Sequence, residues 1–127
     1  MPEFWDRVLM VALGGALGSV LRYAIEGFVD DRLGPTVLGT FAVNISGALL
    51  LGIFIGLTQE RFVAPVLSRP LIAIGLLGGY TTFSTLMFET VDLAESGSLA
   101  TAFLNVGGSV AAGVAAMYAG LVLGRSV

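Results

Sequence analysis

Polar side chains stand inside long apolar stretches of this sequence, where each one is costly to bury and therefore points to chemistry. Thr40 and Asn44 lie four residues apart, so they share one face of a helix. The Asn44 amide offers two N–H donors and one acceptor oxygen. The pair therefore predicts either a hydrogen bond between helices or a neutral donor site for an anion.

A second polar cluster occupies residues 78–85, GGYTTFST, where two adjacent glycines precede a run of hydroxyls. Paired glycines weaken a helix, and β-branched threonines add to the strain. The cluster predicts a third helix that is broken at mid-membrane, and broken helices commonly mark ion sites. The alternative is a kinked helix whose hydroxyls bond the preceding turn.

A third cluster lies near the end of the chain, where Asn105, Ser109 and Gly113 fall four residues apart and form a stripe. The polar residues of all three clusters can donate hydrogen bonds and carry no net charge: Thr40, Asn44, Ser84, Thr85, Asn105 and Ser109. Several modest donors suit an anion that must keep moving. The electropositive ring edge of Phe83 has the same character.

Three charged residues lie near the ends of apolar stretches. Arg22 and Glu26 are four residues apart, which predicts an interfacial pair with the arginine stem in lipid; the alternative is that Arg22 concentrates anions at an aqueous mouth. Glu89 follows the third apolar stretch, so it either marks the membrane interface or faces a water-filled vestibule.

Composition narrows the possible functions. Hydrophobic residues make up 56% of the chain and charged residues 12%, roughly half of what a soluble domain carries, so the expected solvent is lipid. The sequence has no cysteine and no histidine, which removes thiolate nucleophiles, imidazole bases and disulfides, and we predict no enzyme activity. Nine acidic residues outnumber six scattered arginines, so we predict no nucleic-acid partner.

Four apolar windows are long enough to cross a bilayer, which takes about 20 residues per helix. They cover approximately residues 8–28, 36–57, 67–88 and 99–124. We therefore predict an all-α membrane protein with a single four-helix transmembrane domain over residues 1–127. Glu3 and Asp6 precede the first window and no small-residue cleavage pattern follows it, so we expect that helix to be retained.

The arginines predict the orientation only weakly. Four spans place both termini and the second connection on one side of the membrane, which carries Arg7, Arg61, Arg69 and Arg125, against Arg22 and Arg32 on the other. This bias slightly favours cytoplasmic termini and leaves open insertion in both orientations, as an antiparallel pair.

Small residues recur four positions apart in each window. The pairs are Gly14 with Gly18, Gly52 with Gly56, Gly75 with Gly79, and Gly120 with Gly124. Such pairs let helix backbones approach closely, so they predict tight helix packing and an oligomer.

Over essentially its whole length, the chain closely resembles the Fluc (CrcB) family of bacterial fluoride channels. The resemblance is carried by residues 14–23 (GGALGSVLRY), 39–47 (GTFAVNISG) and 78–85 (GGYTTFST). It implies four-helix subunits that form an antiparallel, dual-topology homodimer in the bacterial cytoplasmic membrane. It also implies two fluoride pores and a central structural sodium ion, held by backbone carbonyls at the breaks of the third helices.

The resemblance assigns roles by position. Gly78 and Thr81 correspond to the sodium-ligating carbonyls. Phe83 corresponds to the first pore phenylalanine and Asn44 to the pore amide, with Thr40 supporting the face of Asn44.

Further positions match the pore lining and its ends. Ser84, Thr85 and Ser109 resemble the hydroxyl track along the pore. Arg22 resembles the vestibule arginine, and Glu89 resembles the acidic residue near a pore end.

Three positions depart from the family pattern. Leu86 stands where many members have a second phenylalanine, and Phe88 cannot replace it because two residues rotate a helical side chain by about 200°. Asn105 stands where a tyrosine is common, and Gly113 where a hydroxyl often sits. Either the pore is sparser, or this subunit pairs with a paralogous one as a heterodimer.

The sequence therefore predicts passive, selective fluoride export. A small dual-topology multidrug exporter is an alternative, but that class needs a membrane-embedded carboxylate in its first helix. This chain has Arg22 there, and Glu26 lies near the end of the window. A non-conducting scaffold is a second alternative, for which the buried Asn44 would be an unnecessary cost.

Overall fold

The computed structural model describes residues 1–60 and 64–127. Within these residues four helical spans are long and apolar enough to cross a membrane, and none of these residues forms a strand. The spans are Phe4–Leu33, Leu38–Gln59, Arg69–Glu95 and Leu99–Ser126. The predicted all-α, four-helix membrane class is therefore confirmed. Arg61, which contributed to the predicted arginine bias, lies outside the described residues.

Helix α1 (Phe4–Leu33) extends beyond its apolar window because both ends are capped. At its start, the Asp6 carboxylate accepts a hydrogen bond from the backbone N–H of Glu3 at 3.0 Å. At its end, Gly34 adopts a φ of 79° and donates its N–H to the carbonyl of Asp30. A left-handed φ favours glycine at this position.

Helices α2 (Leu38–Glu60) and α5 (Leu99–Ser126) form the most extensive helix contact of the described chain. Their backbones approach so closely that a Cβ added at Gly120 would lie 2.3 Å from the carbonyl oxygen of Leu49. The glycines of this contact are Gly52, Gly56, Gly120 and Gly124.

Helix α1 packs in the same way on the first half of the third span. This half is a π-helix, Arg69–Leu77, continued by the short helix α3 (Gly78–Tyr80). A Cβ added at Gly14 or Gly18 would lie 2.1 Å from a backbone carbonyl of this half.

We call these two contacts, α2 with α5 and α1 with the first half of the third span, the glycine interfaces. The glycine pairs that predicted an oligomer are used to pack helices within one chain, because the facing backbone belongs to another helix of the same subunit.

The third span is interrupted at Thr81 and Thr82, which we call the interruption. Thr81 has φ −88° and ψ 156°, and Thr82 has φ −145° and ψ 121°, so both are extended. Helix α4 (Phe83–Glu95) follows and packs mainly on α5, whereas the first half packs mainly on α1. This geometry is compatible with the predicted break.

Helix α4 continues beyond the apolar window that ends near residue 88. It ends where Ser96 donates its N–H to the carbonyl of Asp92 and Gly97 turns the chain with a φ of 88°. Glu89 therefore lies inside α4 rather than at its end, because the helix stops at this turn and not where apolar residues give way to polar ones.

Candidate ion-conduction site

The Asn44 amide is bound to the backbone of the interruption at two points. Its Nδ2 donates to the carbonyl oxygen of Thr82 at 2.9 Å, and its Oδ1 accepts from the N–H of Thr82 at 2.7 Å. A side-chain amide matches a peptide unit in this way because it has one donor and one acceptor side by side. These bonds use one of the two N–H groups of the amide.

The interruption changes the partners of the surrounding backbone. In a continuous helix each N–H bonds the carbonyl four residues earlier. Here the N–H of Thr82 bonds Asn44 instead of the Gly78 carbonyl, and the N–H of Thr85 bonds the Thr82 hydroxyl at 3.3 Å instead of the Thr81 carbonyl. The carbonyls of Gly78 and Thr81 have therefore lost the donors that a helix would supply.

Arg22 reaches the same region from α1. Its Nε donates to the carbonyl oxygen of Gly79 at 3.2 Å, and its guanidinium lies 3.9 Å from the carboxylate of Glu26. The predicted pair of Arg22 and Glu26 is thus present, and the guanidinium also caps the carbonyl end of the first half of the third span. A cation at the carbonyl end of a helix is electrostatically favourable.

The Thr82 hydroxyl of the interruption caps the start of helix α4. The Thr82 hydroxyl accepts the N–H of Thr85 and donates to the Thr85 hydroxyl at 3.0 Å. This is the N-cap role that threonine commonly fills. Ser84 lies one position before Thr85 and is exposed.

Phe83 and Leu86 differ in burial. Phe83 is 73% exposed in the single chain, whereas Leu86 is buried at 6%. Both line a 230 Å³ cavity together with Asn44, Thr81 and Thr82. Leu86, which stands where many family members have a second phenylalanine, is therefore buried within the subunit and adjoins open space.

Thr40 and Glu89 connect α2 with α4. The buried Thr40 hydroxyl donates to Glu89 Oε1 at 2.6 Å. The second oxygen of this carboxylate, Oε2, is buried and has no partner in the described chain; the same is true of Oε1 of Glu26.

Asn105 and Ser109 lie together on α5. Asn105 donates to the hydroxyl of Thr90 on α4 at 3.1 Å. The Ser109 hydroxyl is buried and makes no hydrogen bond to any described residue. Both residues line a 340 Å³ groove between α5 and the start of α2, where Phe41 and Leu104 supply apolar walls.

The predicted site residues thus fall into separate groups within one chain. Thr81 belongs to the interruption, Asn44, Phe83 and Thr85 lie beside it, Gly78 precedes it, and Arg22 caps Gly79. Thr40 with Glu89, and Asn105 with Ser109, form two further groups. The hydrogen bonds among the described residues do not join Ser109 to Ser84 or Thr85 into one continuous track.

Sequence reasoning missed a polar contact next to the interruption, between Tyr80 and Ser46. Tyr80 is buried, and its hydroxyl lies 2.9 Å from the Ser46 hydroxyl of α2. A buried tyrosine usually has a hydrogen-bond partner for its hydroxyl, so a tyrosine inside an apolar helix could have predicted such a contact.

A metal ion at this site would depend on backbone oxygens. The described residues hold no cluster of three acidic, histidine or cysteine side chains that could bind a metal. The carbonyls of Gly78 and Thr81 are hard oxygen donors without their helical partners, which is the donor type that suits an alkali-metal cation.

Comparison with known proteins gives the same family as the sequence motifs. Residues 9–121 match the family described as "CrcB-like protein, Camphor Resistance (CrcB)". A relative named fluoride-specific ion channel FluC from Allorhizobium ampelinum is 48% identical over 93% of this chain and 95% of its own.

Two further relatives carry the same name. The protein from Maridesulfovibrio salexigens is 44% identical over 95% of this chain and 97% of its own. The protein from Nitrobacter winogradskyi is 43% identical over 97% of this chain and 98% of its own. With its four membrane-spanning helices, the chain is a multi-pass membrane protein and belongs to the CrcB family.

Proposed function

We propose that this protein is a fluoride-selective channel that lets fluoride leave the bacterial cell passively. The observation that carries the proposal is the interruption of the third span, with Asn44 bound to Thr82 and Phe83 exposed beside it. Relatives that cover nearly the whole chain are named fluoride-specific ion channels, which supports the same function.

The physical task of such a channel is to replace the water shell of a small, strongly hydrated anion. Neutral donors can do this without trapping the ion, because each binding step is modest. Asn44 retains an amide N–H beyond its bond to Thr82, Phe83 presents its ring, and the Ser109 hydroxyl is free of described partners.

The pores belong to a dimer in this proposal, with two pores between antiparallel copies. Phe83 is 73% exposed and Ser84 is exposed as well, although both are predicted pore residues. A pore residue on the outside of a subunit needs a facing wall, which a second copy would supply. A paralogous subunit is the alternative partner.

A sodium ion is the proposed structural cofactor. The carbonyls of Gly78 and Thr81 would hold it. Two oxygens from one chain are too few to surround the ion, so it would need both subunits. Bound there, it would offset the partial negative charge of carbonyls that have lost their helical donors.

The test is fluoride efflux from liposomes that contain only this purified chain, followed with a fluoride electrode, with chloride-loaded liposomes as the selectivity control. We expect fast fluoride release with little chloride loss. Phe83→Ile should strongly reduce the flux, and Phe88→Ile is its matched control, since Phe88 lies on the same helix and is similarly exposed at 71%.

Asn44→Asp should also strongly reduce the flux, because it removes the amide donors and adds a negative charge beside the anion path. Unchanged fluoride flux in both Phe83→Ile and Asn44→Asp would overturn the pore assignment. If the wild-type chain alone releases no fluoride but does so with a co-expressed paralogue, it belongs to a heterodimer. Proton-coupled uptake of a cationic dye would instead favour the multidrug exporter.

A further inference from the structure

We propose that Tyr80 and Ser46 are positioning residues, which hold the backbone of the interruption against α2 so that the Gly78 and Thr81 carbonyls face a bound sodium ion. This inference rests on the proposed function, because it takes those carbonyls as the sodium ligands. The inference adds the pair of Tyr80 and Ser46 to the proposed function, and neither side chain is proposed to contact sodium or fluoride.

The two hydroxyls form a chain of hydrogen bonds with a defined direction. Ser46 Oγ lies 2.7 Å from the carbonyl oxygen of Ala42, one helical turn earlier, and 2.9 Å from the Tyr80 hydroxyl. Ser46 has one hydroxyl hydrogen, which it donates to Ala42. Tyr80 must therefore be the donor to Ser46, and its ring anchors the end of α3 to the middle of α2.

Gly47 makes room for this anchor. A Cβ added there would lie 2.3 Å from Cγ2 of Thr81 and 3.1 Å from Cδ1 of Tyr80. The side chains of Thr81 and Tyr80 thus both lie directly against the backbone of α2 at Gly47.

Tyr80 lies between the two proposed sodium ligands in the chain, so the anchor can position both of their carbonyls. It lies between Gly79, whose carbonyl is capped by Arg22, and Thr81, whose carbonyl has lost its helical donor. Gly78 and Thr81 also line a 260 Å³ cavity with Gly47 and Asn44. The backbone is extended at Thr81 and Thr82. The N–H of Thr81 still bonds the Leu77 carbonyl at 3.1 Å, but the N–H of Thr82 has no helical acceptor and bonds Asn44, so side-chain contacts must fix the backbone from this point to the start of α4.

The anchor is tested with Tyr80→Phe, Ser46→Ala and the double variant. Ser46→Ala should have the largest effect, since it leaves the buried Tyr80 hydroxyl without an acceptor, and the double variant should recover part of the loss because neither partner remains. The controls are Tyr118→Phe and Ser96→Ala, which make the same chemical changes at exposed hydroxyls outside the interruption.

The first readout is the sodium concentration that gives half-maximal fluoride efflux, with N-methylglucamine replacing sodium. We expect a rise of about fivefold in Tyr80→Phe, the ratio that one net hydrogen bond corresponds to, a larger rise in Ser46→Ala, a smaller one in the double variant than in Ser46→Ala, and no change in the controls. A merely destabilised protein would lose active channels without a shift in this concentration.

The second readout is amide hydrogen exchange of residues 79–85 in detergent, which does not depend on conduction. We expect about fivefold faster exchange in Tyr80→Phe, as local opening becomes easier by one hydrogen bond, and a larger increase in Ser46→Ala. Unchanged exchange together with an unchanged sodium midpoint would overturn the positioning role.

The two proposals can fail separately. A wild-type protein that conducts no fluoride, or conducts with indifference to sodium, would remove the corresponding part of the proposed function. The amide exchange would then decide alone whether Tyr80 and Ser46 hold the interruption.

Discussion

At the glycine interfaces, backbone packs directly on backbone, whereas at the interruption the backbone is held by side chains from other helices. In the first region, a Cβ at Gly18 or Gly120 would fall within 2.3 Å of a carbonyl oxygen. In the second, Asn44 and Arg22 supply hydrogen bonds to Thr82 and Gly79.

The two regions differ because their backbones differ in how many N–H and C=O groups lack a hydrogen-bond partner within the helix. Residues in a continuous helix have their backbone groups paired internally, so the only requirement between helices is space, and glycine provides it. An interrupted helix in lipid has unpaired N–H and C=O groups, so it requires donors and acceptors at fixed distances. Substitutions in the two regions should therefore fail in different ways.

The largest effect is expected at a glycine interface. Gly120→Ala should destabilise the fold by about 3 kcal/mol or more, because its Cβ would collide with the rigid backbone of α2. Thermal unfolding in detergent and the monodisperse fraction after extraction measure this. Gly107→Ala is the matched control on the same helix, since a Cβ there meets nothing within 4 Å; equal losses in the two variants would contradict the packing account.

A smaller loss of stability is expected at the interruption. Asn44→Leu keeps the approximate volume but leaves the N–H and carbonyl of Thr82 unpaired, which should cost about 1–3 kcal/mol. Asn105→Leu removes one bond to the Thr90 hydroxyl and should cost about 0.6 kcal/mol, the usual value of a hydrogen bond between membrane helices. Unfolding midpoints of the two variants test the ranking, and an equal or reversed order would show that the two-point bond to Thr82 has no special value.

Arg22→Met should cost about 1 kcal/mol, since it removes the cap of the Gly79 carbonyl and the partner of Glu26. Arg32→Met is the control: its guanidinium lies 4.8 Å from the ring centre of the exposed Phe28 at the end of α1, so we expect a loss of only about 0.5 kcal/mol. The comparison uses unfolding midpoints at two salt concentrations. A larger loss for Arg32→Met would remove the capping role of Arg22.

Leu86→Phe should have only a small effect on stability. Overpacking a buried site typically costs about 1–3 kcal/mol, but here a 230 Å³ cavity adjoins the side chain, so we expect less than about 1 kcal/mol. Fluoride efflux should be retained. A severe loss of folded protein would show that the cavity cannot accept the ring.

The sequence was sufficient for the class and the family. Windows of apolar residues predicted four helical spans, and the motifs at residues 39–47 and 78–85 predicted the CrcB family. Apolar patterning works here because lipid requires long stretches of low polarity. Apolar patterning does not predict where a helix ends, because capping interactions determine the last residue. Helix α4 therefore extends to Glu95 and includes Glu89.

The contacts of the polar residues could not be read from spacing. Thr40 and Asn44 share a face of α2, as the period predicts, yet they bind different elements: Thr40 bonds Glu89 of α4 and Asn44 bonds Thr82. Which partner each one finds depends on how α2 and the third span cross, and periodicity within one helix does not contain that information. The pore and sodium roles of these residues stay predictions.

The order of synthesis has a consequence for how the third span enters the membrane. Among the described residues, the hydrogen bonds that reach Gly79, Tyr80 and Thr82 from other spans come from Arg22 of α1 and from Asn44 and Ser46 of α2. Both helices precede the third span in the chain, so a ribosome delivers every one of these partners before the segment that needs them. The nascent chain can therefore form these hydrogen bonds without waiting for α5, and the last helix joins a third span in which the Gly79 carbonyl and both backbone groups of Thr82 are already paired.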